Sequence, residues 1–240
     1  MIKMPHSLRV AFLVLASAAV AGCTGTLNTA GSGSPTNAPT YHVGDRWVYN
    51  AEDGFRLKTT WEETHEIMAM GPDGVTVRIS QKGPTTNVTR TEQWAAPVLV
   101  KVGAVYNNDT RRFVSPLEKL SFPLLVGKAW NQRAENTNEV TQVTGTINYY
   151  ANVLGWESVT TPGGTYDALK IHVVMRLDDE NYWRWATECN YTVWYAPSVG
   201  GAVKEQRLAQ YLEKGDSLNA QVVRTQYANV QLVSFTPGRS

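Results

Sequence analysis

The side chains in this sequence that could perform chemistry are few and widely spaced. Beyond the N-terminal segment the histidines are His42, His65 and His172, and none has the His-x-His or His-Glu-x-x-His spacing of a metal site. The sequence contains no Gly-x-Ser-x-Gly nucleophile motif and no glycine-rich phosphate loop. We therefore expect no metal site, no cofactor and no enzymatic activity.

Three further features have simple structural interpretations. The acidic run Asp178–Glu180 lacks the alternating oxygen ligands and the glycine of a calcium loop, so it is predicted to be a hairpin turn. Ser198 lies in an Ala-Pro-Ser-Val-Gly stretch that indicates another turn. Cys189 falls on the aromatic face of a predicted strand, with no histidine or aspartate beside it in a nucleophile pattern. Its thiol is therefore predicted to be buried and unreactive.

Cys23 differs from these residues because of what precedes it. Lys3 and Arg9 precede the run Val10–Ala21, which is apolar except for one serine and contains no charge. A run of this length is too short for the ~20 residues that a membrane-crossing helix needs, but it suits a secretory signal. The thiol of Cys23 follows this run directly, where a nucleophile for lipid transfer would be placed.

Residues Val20–Cys23 resemble the lipobox of bacterial lipoproteins. That resemblance implies cleavage before Cys23, a thioether-linked diacylglycerol on its sulfur, and acylation of the new amine by a fatty acid such as palmitate. Two or more acyl chains anchor a protein stably to a membrane. Thr24 stands where lipoproteins of the inner membrane carry aspartate, so the resemblance implies an outer-membrane anchor facing the periplasm. The alternative is an ordinary signal peptide with an incidental cysteine nearby.

Three segments follow from these features: a signal peptide in residues 1–22, a lipidated cysteine with a flexible tether in 23–40, and one folded domain in 41–240. The tether is rich in small and polar residues and would span about 20 to 25 Å as a coil. Two of the 22 Lys and Arg residues lie in the signal, which leaves 20 against 21 Asp and Glu. This near-neutral balance argues against nucleic-acid binding.

The domain shows the two-residue period of β-strands. Apolar and polar residues alternate in Val75–Ile79, and Ile171, Val173 and Met175 share one face of a second strand. Clusters such as Gly71–Gly74 separate the strands. The best short helical candidate, Val203–Lys214, also fits a strand. We predict an all-β fold, in which a strongly curled antiparallel sheet of about ten to twelve strands forms an open or slipped barrel.

A Val-Gly-x-x-Trp pattern occurs twice, at Val43–Trp47 and at Val126–Trp130. Glycine permits a turn with positive φ, and the tryptophan that follows can bury its ring as the strand enters the sheet. The two copies indicate either two β-meanders of similar build or two unrelated strand starts.

Eight tryptophans are a further distinctive feature, and Trp183, Trp185 and Trp194 cluster beside several tyrosines. One interpretation is structural, because a β-domain without disulfides needs large apolar side chains to offset conformational entropy. The other is functional: this aromatic surface lines a concavity that binds an apolar or amphipathic ligand. On that interpretation the three tryptophans are the candidate ligand-binding residues.

Four segments resemble a widespread class of exported bacterial proteins of unknown function: Tyr41–Tyr49, Phe122–Trp130, Gly155–Lys170 and Trp194–Glu205. The resemblance implies a curled antiparallel sheet that forms an open or slipped barrel, and it transfers no catalytic residues. The turn Pro162–Gly164 departs from the Pro-Ala-Gly that is commoner in that class.

Together these features predict a membrane-anchored, non-catalytic lipoprotein of the cell envelope that binds an apolar or amphipathic ligand. The alternative is a structural or assembly partner of an envelope complex. The expected partners are the membrane, through the N-terminal lipid, and a lipid, a glycan or an envelope protein.

Overall fold

The computed structural model describes residues 34–55, 58–179, 182–215 and 220–239. The predicted signal and Cys23 lie outside these residues. Among the described residues, no helix has the length and apolar composition that crossing a lipid bilayer requires. They form one short 3-10 helix, Pro197–Val199, and twelve strands. The strands are β1 Arg46–Asp53, β2 Thr60–Gly71, β3 Gly74–Lys82, β4 Asn87–Ala96, β5 Leu99–Ala104, β6 Thr110–Glu118, β7 Ala129–Asn138, β8 Thr144–Thr161, β9 Gly164–Asp179, β10 Thr187–Ala196, β11 Gly201–Leu212 and β12 Val222–Thr236.

The strands follow one another around a closed antiparallel barrel. Each strand pairs with the strand before it and the strand after it, and β1 pairs with β12 along its whole length. The pairing of β6 with β7 is short, with three residue pairs that begin at Arg111↔Asn138. The predicted all-β, strongly curled antiparallel sheet is confirmed. Closure follows because an open sheet of this size would leave unpaired backbone groups at its two edges.

The two-residue period decides which side chains enter the barrel. In β3, Val75, Val77 and Ile79 are buried, whereas Arg78 between them is exposed. The segment considered for a helix contains most of strand β11. A barrel of eight strands is just wide enough for side chains to fill, and the diameter grows with strand number. Twelve strands therefore leave room for an interior space.

The two Val-Gly-x-x-Trp segments have matching backbone geometry. Gly44 and Gly127 have φ values of +93° and +84°, which glycine adopts without a Cβ clash. The Gly44 amide donates to the carbonyl of Ile67 at 2.8 Å, and the Gly127 amide donates to that of Val153 at 2.9 Å. Both acceptors stand at a register shift in the following strand. The halves β1–β6 and β7–β12 therefore begin alike, which supports two meanders of similar build.

The hairpin of β8 and β9 is longer than its neighbours and folds over the outside of the barrel. The register shifts between Val153 and Gly155, and β8 contacts β11 and β12 beyond that point. The Gly163 amide, in the hairpin turn, donates to the carbonyl of Leu232 in β12 at 2.9 Å. Trp194 of β10 lies under this hairpin, where its indole donates to the Glu157 carboxylate at 2.7 Å.

The chain before β1 crosses the barrel end at which β1 begins, and we call Thr36–Tyr41 the strap. Thr36 and Leu124 exchange two backbone hydrogen bonds of 2.8 Å. The Tyr41 hydroxyl donates to the carbonyl of Gly200 at 3.3 Å, and its ring packs edge-on against Trp47 with centroids 5.5 Å apart. Contacts with the barrel therefore begin inside the segment predicted to be the tether.

Candidate functional site

The barrel contains a cavity of about 170 Å³ beside the strap. This volume is close to that of an engineered protein cavity of about 150 Å³ that binds benzene. Charged side chains from β2, β4 and β11 contribute to its wall. Seven aromatic side chains also line it. Besides Tyr41 these are Trp47, Tyr49, Trp94, Tyr149, Tyr191 and Tyr195.

The three tryptophans predicted to bind a ligand do not line this cavity. Trp194 is buried on the outer face of the barrel, under the β8–β9 hairpin. Trp183 and Trp185 precede β10 at the barrel end opposite the strap, where they are 42% and 54% exposed. Trp183 packs edge-on against Tyr211 with ring centroids 5.3 Å apart. The structure separates Trp194 from the other two, and ligand binding at these residues stays a prediction.

Glu63 of β2 is a buried carboxylate at the centre of a charged network in the cavity wall. Arg207 of β11 donates to both of its oxygens, at 3.2 Å to Oε1 and at 3.4 Å to Oε2. His65 Nε2 lies 2.8 Å from Oε1, and Gln81 Nε2 donates to Oε2 at 2.9 Å. Arg207 Nε also donates to Glu205 Oε2 at 2.7 Å. A buried carboxylate remains ionised only when cations and hydrogen-bond donors surround it, as they surround Glu63 here.

A second buried carboxylate, Glu92 of β4, continues the network. It accepts hydrogen bonds from Arg90 Nε at 3.1 Å, from Trp94 Nε1 at 3.0 Å and from a backbone amide of β5 at 3.1 Å. Arg90 donates to Asn108 at 2.6 Å, and Asn108 donates to Gln81 at 3.0 Å. One chain of hydrogen bonds therefore connects β11, β2, β3 and β4 across the cavity wall.

Ion pairing outweighs burial at both carboxylates. Burial, the largest single effect, raises the pKa of Glu63, but the charges and hydrogen bonds of Arg207 and His65 together lower it more, so the net pKa lies well below its ordinary value. Burial also raises the pKa of Glu92, and the cations Lys119 and Arg90, together with the hydrogen bonds from Trp94 and Ala104, outweigh that effect. Both carboxylates are therefore charged at neutral pH.

These pKa shifts predict that acid destabilises the fold. A carboxylate whose pKa is lower in the folded than in the unfolded chain stabilises the fold above the unfolded value, near 4.5. That stabilisation is lost as the pH falls from there through the folded-state pKa. In urea titrations between about pH 6 and about pH 3, the free energy of unfolding should fall. Glu63→Gln and Glu92→Gln should show a shallower dependence on pH.

Glu188→Gln is the matched control for this titration, because Glu188 is exposed on β10. It should follow the pH dependence of the unsubstituted protein. If Glu63→Gln and Glu92→Gln followed it as well, the stabilising role of the buried carboxylates would be disproved.

The three histidines considered for chemistry lie apart from one another. His42 is in the turn before β1, where its backbone amide donates to Asp45 Oδ2 at 2.7 Å. His172 is a half-buried residue of β9, and its Nε2 lies 2.9 Å from Asn190 Oδ1. His65 is the one of the three that lines the cavity. Within the part of the chain that the structure describes, no cluster of His, Cys, Asp or Glu could hold a metal ion.

Cys189 and Ser198 occupy the environments predicted for them. Cys189 is buried in β10, and burial raises the pKa of its thiol to about 12. A thiol with this pKa is protonated at neutral pH and is a weak nucleophile. Ser198 lies in the 3-10 helix that connects β10 to β11.

None of the residues predicted to bind a ligand belongs to this charged network. The sequence of β2 nevertheless contains a signal for it. Trp61, Glu63, His65 and Ile67 share one face of the strand by the two-residue period, and the apolar members mark this face as the inner one. Polar residues at inward positions indicate buried groups with partners. Arg207, the partner, lies 144 residues along the chain, and barrel closure brings it to β2.

No protein-family model and no curated protein matches this chain. Two solved structures are similar to it in fold. One is a candidate lipoprotein from Parabacteroides distasonis, 14% identical, with a TM-score of 0.50 over 85% of this chain and 100% of that one. The other is a candidate exported protein with a YmcC-like fold from Bacteroides fragilis, 11% identical, with the same TM-score and coverage. At these identities the similarity shows the fold alone.

Proposed function

We propose that this chain is a non-catalytic, lipid-anchored protein of the cell envelope whose barrel binds a small amphipathic ligand. The observation that carries the proposal is the interior cavity of about 170 Å³ with its aromatic and charged wall. Aromatic side chains suit the apolar part of a ligand, and a few placed polar groups suit its hydrogen-bonding part.

The proposed location rests on two independent supports. Residues Val20–Cys23 resemble a lipobox, and Thr24 favours the outer membrane, facing the periplasm. The two proteins of similar fold are described as a candidate lipoprotein and a candidate exported protein.

The strap relates the proposed anchor to the cavity. Residues 24–35 separate Cys23 from Thr36, a stretch that reaches at most about 45 Å when fully extended. A lipid on Cys23 would therefore keep the membrane within that distance of the strap. The strap crosses the barrel end beside the cavity, and its Tyr41 lines the cavity wall. A ligand taken from the membrane would thus have a short path to the cavity.

Filling the cavity tests ligand binding. Val173 of β9 lines the cavity and is 3% exposed, whereas its neighbour Val174 faces outward. Val173→Phe should weaken the binding of hexan-1-ol at least about tenfold, measured by isothermal titration calorimetry, because the added ring occupies the ligand's space. Val174→Phe adds the same ring outside and should bind as the unsubstituted protein does. Equal binding by both variants, or no binding by any of the three proteins, would contradict the proposed function.

A second candidate function, as a structural partner in an envelope complex, is favoured by the barrel end opposite the strap. Tyr182, Trp183 and Trp185 are exposed there, at 90%, 42% and 54%. Exposed aromatic residues are enriched in protein interfaces. Pull-down from crosslinked envelopes should then recover one stoichiometric partner, and the double variant Trp183→Ala/Trp185→Ala should lose it. Recovery of no partner by the unsubstituted protein would count against this function.

A further inference from the structure

Glu205 of β11 lines the cavity with one carboxylate oxygen unpaired. Its Oε2 accepts a hydrogen bond from Arg207 at 2.7 Å, and its Oε1 has no hydrogen-bond partner among the described residues. Arg207 also donates to both oxygens of Glu63, and His65 bonds to Glu63 rather than to Glu205. Two carboxylates therefore share one guanidinium, and Glu205 is the one with an oxygen left for a ligand.

Three tyrosines line the same cavity as this carboxylate. Burial raises the pKa of Tyr49, Tyr149 and Tyr191, and the Glu205 charge raises each of them further. The Tyr149 hydroxyl donates to the carbonyl of Lys119 at 2.7 Å. Tyr49 also lines the cavity, and no hydrogen bond joins its hydroxyl to another residue in the described part of the chain. This hydroxyl is therefore available to a ligand in the cavity.

The cationic side chains of the cavity wall are already paired with other protein atoms. Arg90 donates to Glu92 and to Asn108. Lys119 lies near Glu92 and donates to the carbonyl of Ala104 at 3.4 Å. An acidic ligand group would have to displace these contacts, whereas a cationic group would meet the unpaired oxygen of Glu205.

We propose that the cavity selects small amphiphiles that carry an ammonium group, which Glu205 holds beside Tyr49, Tyr149 and Tyr191. This inference rests on the proposed function and names the ligand class for the same site. An ammonium group donates charge-assisted hydrogen bonds to a carboxylate and to a phenolic oxygen. Aromatic rings stabilise the same cation electrostatically, and such cages recognise alkylated amines in other proteins.

The test compares three ligands with the same six-carbon chain, which suits the cavity volume. Hexylamine, hexan-1-ol and hexanoate are titrated into the ligand-free protein near neutral pH by isothermal titration calorimetry. Hexylamine should bind at least about tenfold more tightly than hexan-1-ol, since a charge-assisted hydrogen bond contributes about 1.5 kcal/mol or more. Hexanoate should bind more weakly than either.

Glu205→Gln should remove the preference for hexylamine and leave hexan-1-ol binding within about threefold. Glu157→Gln is the matched control, because Glu157 is a carboxylate outside the barrel, bonded to Lys170 and Trp194. It should keep the preference. Tyr49→Phe is a second probe that removes a hydroxyl with no protein partner, so it should fold normally and lower the affinity for hexylamine about threefold or more.

The outcomes separate the two proposals. Equal binding of hexylamine and hexan-1-ol, tighter binding of hexanoate, or a preference that survives in Glu205→Gln would overturn the ammonium site and leave the proposed function in place. Binding of none of the three compounds would overturn both.

Discussion

Replacing Arg207 with methionine is expected to lower the free energy of unfolding by about 3–5 kcal/mol. The substitution leaves Glu63, which is 1% exposed, as a buried carboxylate without its cation. His65 and Gln81 still bond to it, but neither replaces the guanidinium that donates to both oxygens. Unpaired buried charge is among the most destabilising features that one substitution can create.

Urea unfolding followed by tryptophan fluorescence measures this loss near neutral pH. The loss should shrink under acidic conditions, because a protonated Glu63 no longer buries a charge. Arg112→Met is the matched control. Arg112 is 62% exposed and pairs with Glu139 at 2.9 Å on the surface, so removing it should change the stability by less than about 1 kcal/mol. Similar losses in the two variants would show that the Glu63–Arg207 pair is not specially stabilising.

Truncating Tyr41 to alanine should lower the free energy of unfolding by about 3–5 kcal/mol, the range for removing a large buried aromatic side chain. Tyr41 is 6% exposed and packs against Trp47 and Trp94 at the barrel end that the strap crosses. Tyr41→Phe keeps the ring and removes one hydrogen bond, to the Gly200 carbonyl at 3.3 Å. That variant should lose only about 0.5–1.5 kcal/mol.

The same unfolding measurement distinguishes the two Tyr41 variants, and the emission maximum of the folded state is a second readout. In Tyr41→Ala the indoles of Trp47 and Trp94 lose their cover, so their emission should shift toward longer wavelengths. A loss below about 1 kcal/mol in Tyr41→Ala would mean that the strap contributes little to stability, contrary to its packing.

Much of the fold could be predicted from alternation alone. The period in Val75–Ile79 identifies the inner face of β3, and the pattern Val-Gly-x-x-Trp predicts the positive φ values observed at Gly44 and Gly127. These features are local, since a strand's two faces and a turn's backbone geometry depend on neighbouring residues. For the same reason the burial of Cys189 could be predicted from its strand.

The tryptophans show where local reasoning stops. Trp183, Trp185 and Trp194 are close in sequence, yet Trp194 is covered by a hairpin that folds back from β8 and β9. Trp183 and Trp185 fall before β10 begins, so the strand period does not apply to them. The aromatic lining of the cavity comes instead from residues that are distant in sequence, such as Tyr49 and Tyr195.

The amino-acid sequence by itself determined the all-β class, the inward face of strands such as β3 and β9, and the apolar N-terminal run that precedes Cys23. Only the tertiary structure decided that the sheet closes, that a cavity remains inside it, and that Glu63 meets Arg207 there. The reason is physical. A two-residue period specifies which side of a strand is buried, but the number of strands and their closure set how far apart opposite walls stand and which buried charges become partners.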